Sequence, residues 1–463
     1  HWEQLPSPLM RTSQLDMRGN PNNSGIWAPC LSCCDGTFFL IYTDVKSQKR
    51  PCYNTHNYIV WTDDIEGEWS EPVYLNSTGF DPSLFHDGDR KYLINMRHEF
   101  RGILMQEYDH EKRALVGEVR TIFRGTELGF TEGPHLYRRG GYYYLMVAEG
   151  GTGYGHAVTV ARATDIWGPY EVDPLNPMLT SRDDPSLRLQ KAGHASMVEM
   201  PNGEWLMAHL CARPVEGKCL TGRETALQPI EWVEGWPRIR GGGHAPLDTF
   251  APPMELGTFD ATEEPERDDF TGGLGVYYSS LRIPPGEDIT VSGERLTLVG
   301  RETLFSNFQV SLLARRQKES NCAAETRMIF TPKMIEHGAG LAYLYNNENF
   351  CLLFKTLADD DATPVLRLVR SVKGANWEAL AEVSLGPHES IMLRVVNEGL
   401  AARFYYAEDG GAPVEIGDGF DSSILSDEAA PGFTGAHFAL YCHDGANGGH
   451  RAEFTYFEVK SQE

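Results

Sequence analysis

The sequence predicts an all-β protein with two domains, a β-propeller followed by a jelly-roll β-sandwich. The chain has 463 residues, more than one hydrophobic core usually supports. Its first half repeats a hairpin signal at a spacing typical of propeller blades. Its second half alternates short apolar strands with turns, a pattern that favours a two-sheet sandwich.

The first half contains four copies of the hairpin signal. In each copy a glycine turn separates an inner segment from an apolar or aromatic strand, and Asp-Gly and Asn-Gly are strong signals for tight hairpins. The turn glycines Gly36, Gly88, Gly140 and Gly203 lie 52, 52 and 63 residues apart. This spacing predicts a propeller, because about fifty residues is the period of a four-stranded blade.

The first strand of each blade lines the propeller axis, so equivalent positions on these strands face one central funnel. Counting back seven to nine residues from the turn glycines leads to Trp27 and Ala28, Asp81, Glu132 and His194. Carboxylates buried near an axis are costly unless a ligand or partner compensates them. We therefore expect these side chains to form a functional site.

The formal net charge of −24 argues against nucleic acid as a partner, because no Lys/Arg cluster reverses the repulsion from phosphates. No apolar run reaches the roughly 18 residues of a membrane helix, so we expect no membrane partner. A neutral polymer such as a sugar chain is compatible with this charge. The first residues carry no readable targeting segment, and the cellular location stays open.

Two carboxyl groups in one funnel suit the hydrolysis of a glycosidic bond. That reaction needs one protonated carboxyl as acid and one carboxylate that activates water or attacks. Glu132 follows Phe130 and Thr131 in an apolar setting that should raise its pKa toward that of a general acid. Asp81 supplies the second carboxylate.

Five ordered motifs over some two hundred residues resemble the β-xylosidases of glycoside hydrolase family 43. They are SGIWAP (24–29), GFDPSLFHD (79–87), TEGPH (131–135), KAGHAS (191–196) and GRETA (222–226). The resemblance continues weakly in the second half, in LARRQ (313–317) and PGFTG (431–435). It implies a five-bladed propeller that acts with inversion through three carboxylates.

The resemblance also assigns catalytic roles. Glu132 is expected to be the general acid, and Asp81 is expected to orient it and tune its pKa. The family's general base is an Asp on the innermost strand of the first blade. One period back from Trp27 lies before His1, so we expect the first blade to be incomplete and the general base not to be in this chain.

Substrate contacts follow from the same motifs. Arg223 is expected to bind the sugar at the cleavage subsite, and Trp27, Ala28 and Phe80 are expected to form the walls of the pocket. Phe433, from the second domain, is expected to close one side.

His194 is the one metal candidate that the resemblance implies. Some family members hold a calcium ion in the central channel through this imidazole and water molecules. No cofactor is expected to be required, and calcium in the channel and a homo-oligomer are both left open.

The domain boundaries are expected where Gly/Pro-rich and charged segments interrupt the strand pattern. These signals place the propeller at residues 1–255, a linker at 256–269 and the sandwich at 270–463. The sandwich resembles the lectin-like jelly rolls that follow the propeller in xylosidases. A role in capping the propeller is favoured over independent sugar binding.

The function expected from these observations is an exo-acting β-xylosidase that releases xylose from xylo-oligosaccharides by an inverting mechanism. An α-L-arabinofuranosidase activity is expected as a second activity or, in a close alternative, as the main one. A different class of protein also stays open, a catalytically silent carbohydrate-binding protein without the general base.

Overall fold

The structure, a computed structural model, describes residues 4–49, 51, 53–252 and 264–462. Almost all regular structure is antiparallel β-sheet. Four sheets of the first half follow one another as propeller blades, and two larger sheets of the second half form a sandwich. The predicted combination of propeller and sandwich is confirmed. No helix of the described residues is long and apolar enough to cross a membrane.

Blades I and II each contain four strands, paired in the order of the chain. Blade I consists of β1 (Gly25–Cys34), β2 (Thr37–Ser47), β3 (Asn54–Thr62) and β4 (Val73–Asn76). Blade II consists of β5 (Gly79–Asp87), β6 (Arg90–Arg97), β7 (Ile103–Asp109) and β8 (Ala114–Phe123), with a 3₁₀ turn at His98–Phe100 after β6.

Blades III and IV follow the same plan. Blade III consists of β9 (Glu132–Arg139), β10 (Tyr142–Glu149), β11 (Ala157–Ala163) and β12 (Glu171–Val172), and β13 (Leu179–Thr180) also pairs with β11. Blade IV consists of β14 (Gln190–Glu199), β15 (Trp205–Ala212), β16 (Glu224–Val233) and β17 (Trp236–Ile239). The four hairpin turns lie where the turn glycines predict them, between the first and second strand of each blade. Of the five predicted blades the described residues form four, and residues 4–24 contribute no strand.

Hydrophobic cores lie between successive blades. Blades II and III share a core that includes Ile94, Met105 and Leu145, and blades III and IV share one that includes Met146 and Trp205. Among the described residues, no such cluster joins blade IV to blade I. The blades are therefore held face to face by packing of the apolar side of each sheet.

The innermost strand of each blade is interrupted by an irregularity at nearly the same position. The register shifts near residue 28 in β1, 81 in β5, 133 in β9 and 194 in β14. At these points Ala28, Asp81, Gly133 and His194 have φ values of 31°, 53°, 55° and 46°. Left-handed backbone strains a residue that is not glycine, and such strain is typical of functional sites. The bulges redirect the inner strands at the axis.

The sandwich consists of an eight-stranded and a six-stranded sheet. The first contains β18 (Arg267–Asp268), β19 (Ile289–Val291), β20 (Leu296–Val299), β22 (Cys322–Ile329), β27 (Ser390–Glu398), β28 (Ala401–Glu408), β29 (Val414–Asp421) and β31 (Arg451–Ser461). The second contains β21 (Ser311–Arg316), β23 (His337–Asn346), β24 (Asn349–Leu357), β25 (Pro364–Ser371), β26 (Glu378–Ser384) and β30 (His437–Asp444). A 3₁₀ turn lies at Ser422–Leu425. Phe404, Phe438 and Phe454 are fully buried in the core between the sheets.

The domain boundaries stay a prediction, because most of the proposed linker lies outside the described residues. The last propeller strand ends at Ile239, and β18, which pairs with the sandwich strand β31, begins at Arg267. The strand β18, which belongs to the sandwich, therefore lies within the predicted linker 256–269 and before residue 270, the predicted start of the sandwich.

One loop of the sandwich, residues 426–436, lies against the segment 219–223 of the propeller. The backbone nitrogen of Ala436 donates to Leu220 O at 2.7 Å, and that of Arg223 donates to Phe433 O at 3.2 Å. Gly222 and Gly435 approach so closely that neither position has space for a side chain. The Lys191 ammonium donates to Glu428 Oε1 at 2.5 Å and ties the same loop to β14.

Gly222→Ala is expected to destabilise the docking of this loop. Its methyl group would lie 2.3 Å from the backbone nitrogen of Gly435. Gly203→Ala is the matched control, because its φ of 81° resembles the 68° of Gly222 and nothing lies within 4 Å of its Cβ position. Both variants carry the strain of left-handed alanine, about 1–2 kcal/mol. Gly222→Ala should lose about 1–3 kcal/mol more through overpacking.

Urea unfolding of the two variants measures this difference in the free energy of unfolding. Equal losses in both would mean that the loop moves aside at no cost.

Candidate active site

A cavity of about 990 Å³ opens where the inner strands of the four blades meet. Its lining includes all eight residues that the sequence singles out, namely Trp27, Ala28, Phe80, Asp81, Glu132, His194, Arg223 and Phe433. Seven of them come from the propeller, and Phe433 comes from the sandwich loop 426–436. The tertiary structure thus brings the predicted residues together in one site, while their individual roles stay predictions.

Asp81 and Glu132 form a close acidic pair in the lining of this cavity. Both side chains are buried, and carboxylate oxygens of the two lie within 4.8 Å of each other and of a ring nitrogen of His194. Inverting glycosidases hold the acid and the base about 6.5–9.5 Å apart, which leaves room for the attacking water. The pair is therefore too close for Asp81 to be the base across the bond from Glu132.

The surroundings of the pair favour a protonated acid. Burial raises the pKa of both carboxyl groups, and the negative charge of Asp81 raises that of Glu132 further. The positive charge of Arg223 lowers both pKa values in part. The backbone nitrogen of Gly133 donates to Asp81 Oδ2 at 3.2 Å, which favours the ionised form of Asp81. Two like charges this close cannot both ionise easily, so one proton stays on the pair.

Arg223 offers an unused hydrogen-bond donor in this cavity. Its guanidinium lies over the Phe433 ring, with Cζ 3.8 Å from the ring centroid. Nη2 is buried and has no hydrogen-bond partner among the described residues. A buried donor without a partner costs free energy. This nitrogen is therefore suited to donate a hydrogen bond to a hydroxyl oxygen of a bound sugar.

Aromatic rings form one wall of the cavity. Trp27 meets Phe80 edge to face at 5.0 Å between centroids, and Tyr53 stacks on Phe80 at 6.0 Å. Phe100 meets Phe80 at 6.1 Å from the turn after β6. The sequence analysis missed Tyr53 and Phe100, since neither lies on an inner strand. Phe100 carries a positive φ of 54° in an irregular turn, and no local sequence signal marks it.

The imidazole rings of His135 and His194 line the cavity. His194 packs against Gly133, where a Cβ atom would lie 2.7 Å from its Nε2. Burial, with the neighbouring His156 and His135, lowers the pKa of His194. Burial also lowers the pKa of His135 to about 4, so these rings are neutral near pH 7. A neutral imidazole has a free nitrogen that can bind a cation or water.

The propeller funnel holds two interacting carboxyl groups, an arginine with a free donor and an aromatic wall. A site that hydrolyses glycosidic bonds needs these components. The enzyme is a glycosidase. The comparisons with known proteins specify which kind: residues 1–237 match the model described as glycosyl hydrolases family 43, and the chain belongs to this family. Residues 267–460 match the beta xylosidase C-terminal concanavalin A-like domain.

Several relatives match over nearly the whole chain. A beta-xylosidase of Bacillus subtilis strain 168 is 42% identical over 489 residues, which cover 100% of this chain and 91% of the relative. A xylosidase/arabinosidase 43B of Humicola insolens is 41% identical, with 99% of this chain and 89% of the relative covered. The crystal structure of a xylan beta-1,4-xylosidase from Bacillus halodurans C-125 superposes with a TM-score of 0.96 at 44% identity, covering 100% of this chain and 91% of that one.

Asp81→Asn is expected to move the alkaline limb of the kcat/KM profile to lower pH. The charge of Asp81 raises the pKa of Glu132, and a general acid works only while it is protonated. Without that charge Glu132 loses its proton at a lower pH. Asparagine has nearly the same size as aspartate, so the substitution changes the charge and hardly the shape. The pH profile of xylobiose hydrolysis measures the shift, and an unchanged alkaline limb would contradict the proposed coupling.

Proposed function

We propose that this glycosidase is an exo-acting β-xylosidase that releases xylose from xylo-oligosaccharides with inversion. The observation that carries the proposal is the buried Asp81–Glu132 pair beside the free Nη2 of Arg223. The names of its full-length relatives, a beta-xylosidase and a xylan beta-1,4-xylosidase, support xylose as the sugar.

Glu132 is the general acid in this proposal. Its proton passes to the glycosidic oxygen as the bond to the anomeric carbon breaks, so that the leaving sugar departs as a neutral alcohol. Asp81 keeps the proton on Glu132 through its charge, and the Gly133 amide, which donates to Asp81 Oδ2, anchors Asp81. Arg223 holds a hydroxyl of the sugar that is being released.

The attacking water needs a base on the opposite face of the sugar. Within the described residues, Asp81 and Glu132 are the acidic side chains that line the cavity. Because these two are close together on one side, neither suits the base. Among the described residues, the cavity lining therefore offers no further carboxylate for the role of base.

Arabinofuranoside cleavage is a second candidate activity. The Humicola insolens relative is named for both activities, and xylopyranose and arabinofuranose present similar hydroxyl geometry to one pocket. The Arg223–Phe433 stack would then contact either sugar. The ratio of kcat/KM for xylobiose and for an aryl α-L-arabinofuranoside decides which activity dominates.

A cation in the channel at His194 is also a proposal. Calcium prefers six to eight oxygen ligands, and one imidazole cannot supply them. The two carboxyl oxygens within 4.8 Å could add to the set, but burial favours their protonated forms, which are poor ligands. An ion at His194 would therefore be held chiefly by water and would be removed easily.

Glu132→Gln is expected to lower kcat/KM for xylobiose by about 10²–10⁴-fold, the usual contribution of a general acid. Hydrolysis of an aryl xyloside with a good leaving group should be nearly preserved, because that leaving group needs no proton. Steady-state kinetics on both substrates measure the difference.

Equal losses on the two substrates would contradict the assignment of Glu132 as the acid. If the wild-type enzyme binds xylobiose in calorimetry but turns over neither substrate, the alternative of a silent carbohydrate-binding protein is supported instead.

Treatment with EDTA is expected to lower the activity if the channel holds calcium, and added calcium should restore it. The His194→Ala variant should then respond to neither reagent, because its ion site is lost. The calcium content of the purified enzyme provides an independent measurement. Activity that is insensitive to EDTA would mean that water occupies the channel.

A further inference from the structure

Besides Asp81 and Glu132, the propeller buries the carboxyl group of Glu149, which does not line the cavity and has no assigned function. Glu149, the last residue of β10, has 0% of its surface exposed. It receives four hydrogen bonds, from the Thr126 backbone nitrogen (2.8 Å), Thr126 Oγ1 (2.6 Å), Thr131 Oγ1 (2.7 Å) and Thr159 Oγ1 (2.8 Å). Among the described residues no cation pairs with it. A carboxylate buried at such a cost is retained where its hydrogen bonds fix a structure.

Three of these four hydrogen bonds come from the loop 125–131, which leads directly into the predicted acid. The loop closes tightly around the carboxylate at Gly125, where a Cβ atom would lie 1.9 Å from Thr131 Oγ1 and 2.8 Å from Glu149 Oε1. A further hydrogen bond, from Gly150 N to Gly129 O at 2.9 Å, ties the loop to the residue after Glu149. The loop thus has one preferred conformation.

Glu149 is connected to Glu132 by two short routes. Thr131, which donates to Glu149 Oε1, is the residue before Glu132 in the chain. In the sheet, Glu132 pairs with Ala148, the residue before Glu149. The backbone of the predicted acid is therefore held on one side by a strand pair and on the other by the Thr131 hydroxyl.

We propose that Glu149 is a positioning residue that holds the general acid Glu132 in line with the glycosidic oxygen through the Thr131 hydroxyl. The proposal rests on the proposed function of Glu132. Glu149 acts through geometry and not through its charge, because burial, Asp81 and Arg223 account for the pKa of Glu132. Displacing a reacting group by about 1 Å can cost about 10²-fold in rate.

Thr131→Val and Thr159→Val provide a matched pair of variants. Each removes one hydroxyl donor from Glu149 and keeps the shape of the side chain, but only Thr131 adjoins Glu132. The two hydroxyls donate to different oxygens of the same carboxylate, Thr131 to Oε1 and Thr159 to Oε2. A general loss of stability therefore affects both variants, and a displaced acid affects only Thr131→Val.

We expect Thr131→Val to lower kcat for xylobiose by about 10–10²-fold, while kcat for an aryl xyloside with a good leaving group falls by less than about threefold. Thr159→Val should leave the ratio of the two rates at its wild-type value. Thr131→Ser, which restores the hydroxyl, should restore the ratio as well. Thermal unfolding of all three variants monitors stability separately.

An unchanged ratio in Thr131→Val would overturn the proposal, and so would the same altered ratio in Thr159→Val. Failure of the proposed function has a different signature. In that case Glu132→Gln itself gives equal losses on the two substrates, whatever the Thr131 variants do.

Discussion

The burial of two carboxyl groups within 4.8 Å of each other is the constraint on which the site depends. Such a pair is unfavourable unless one member keeps a proton and nearby groups compensate the remaining charge. The Gly133 amide and the Arg223 guanidinium supply that compensation. Arg223 in turn is covered by Phe433 of the sandwich, so the electrostatics of the propeller funnel depend on the second domain.

The bulges of the inner strands explain how the propeller can present such a pair. A regular strand would continue its alternation past the axis, whereas a residue with positive φ turns the chain at that point. Asp81 and His194 occupy such positions, and Glu132 directly precedes Gly133, which does so in β9. The strain at these residues is tolerated because the cores between the blades fix the rest of each strand.

The sandwich completes the pocket and does not merely follow the propeller. The close approach of Gly222 and Gly435 and the ion pair between Lys191 and Glu428 hold the loop 426–436 against the propeller beside Arg223. Truncation of the second domain would therefore remove a wall of the cavity and expose the guanidinium. The hydrogen bonds of Glu149 and the pairing of Glu132 with Ala148 fix the start of the strand that carries Glu132.

The sequence by itself determined the blade period, because Gly36, Gly88, Gly140 and Gly203 mark local hairpin turns that need no tertiary context. Counting back from these turns also found Asp81, Glu132 and His194, since position along an inner strand fixes nearness to the axis. Only the tertiary structure decided which rings complete the wall, because Tyr53 and Phe100 reach it from irregular loops. The same holds for the stack of Phe433 on Arg223, which joins residues far apart in the chain. It holds also for the three threonines that donate to Glu149 from different segments of the chain. Such contacts depend on long-range packing, which leaves no periodic signal in the sequence.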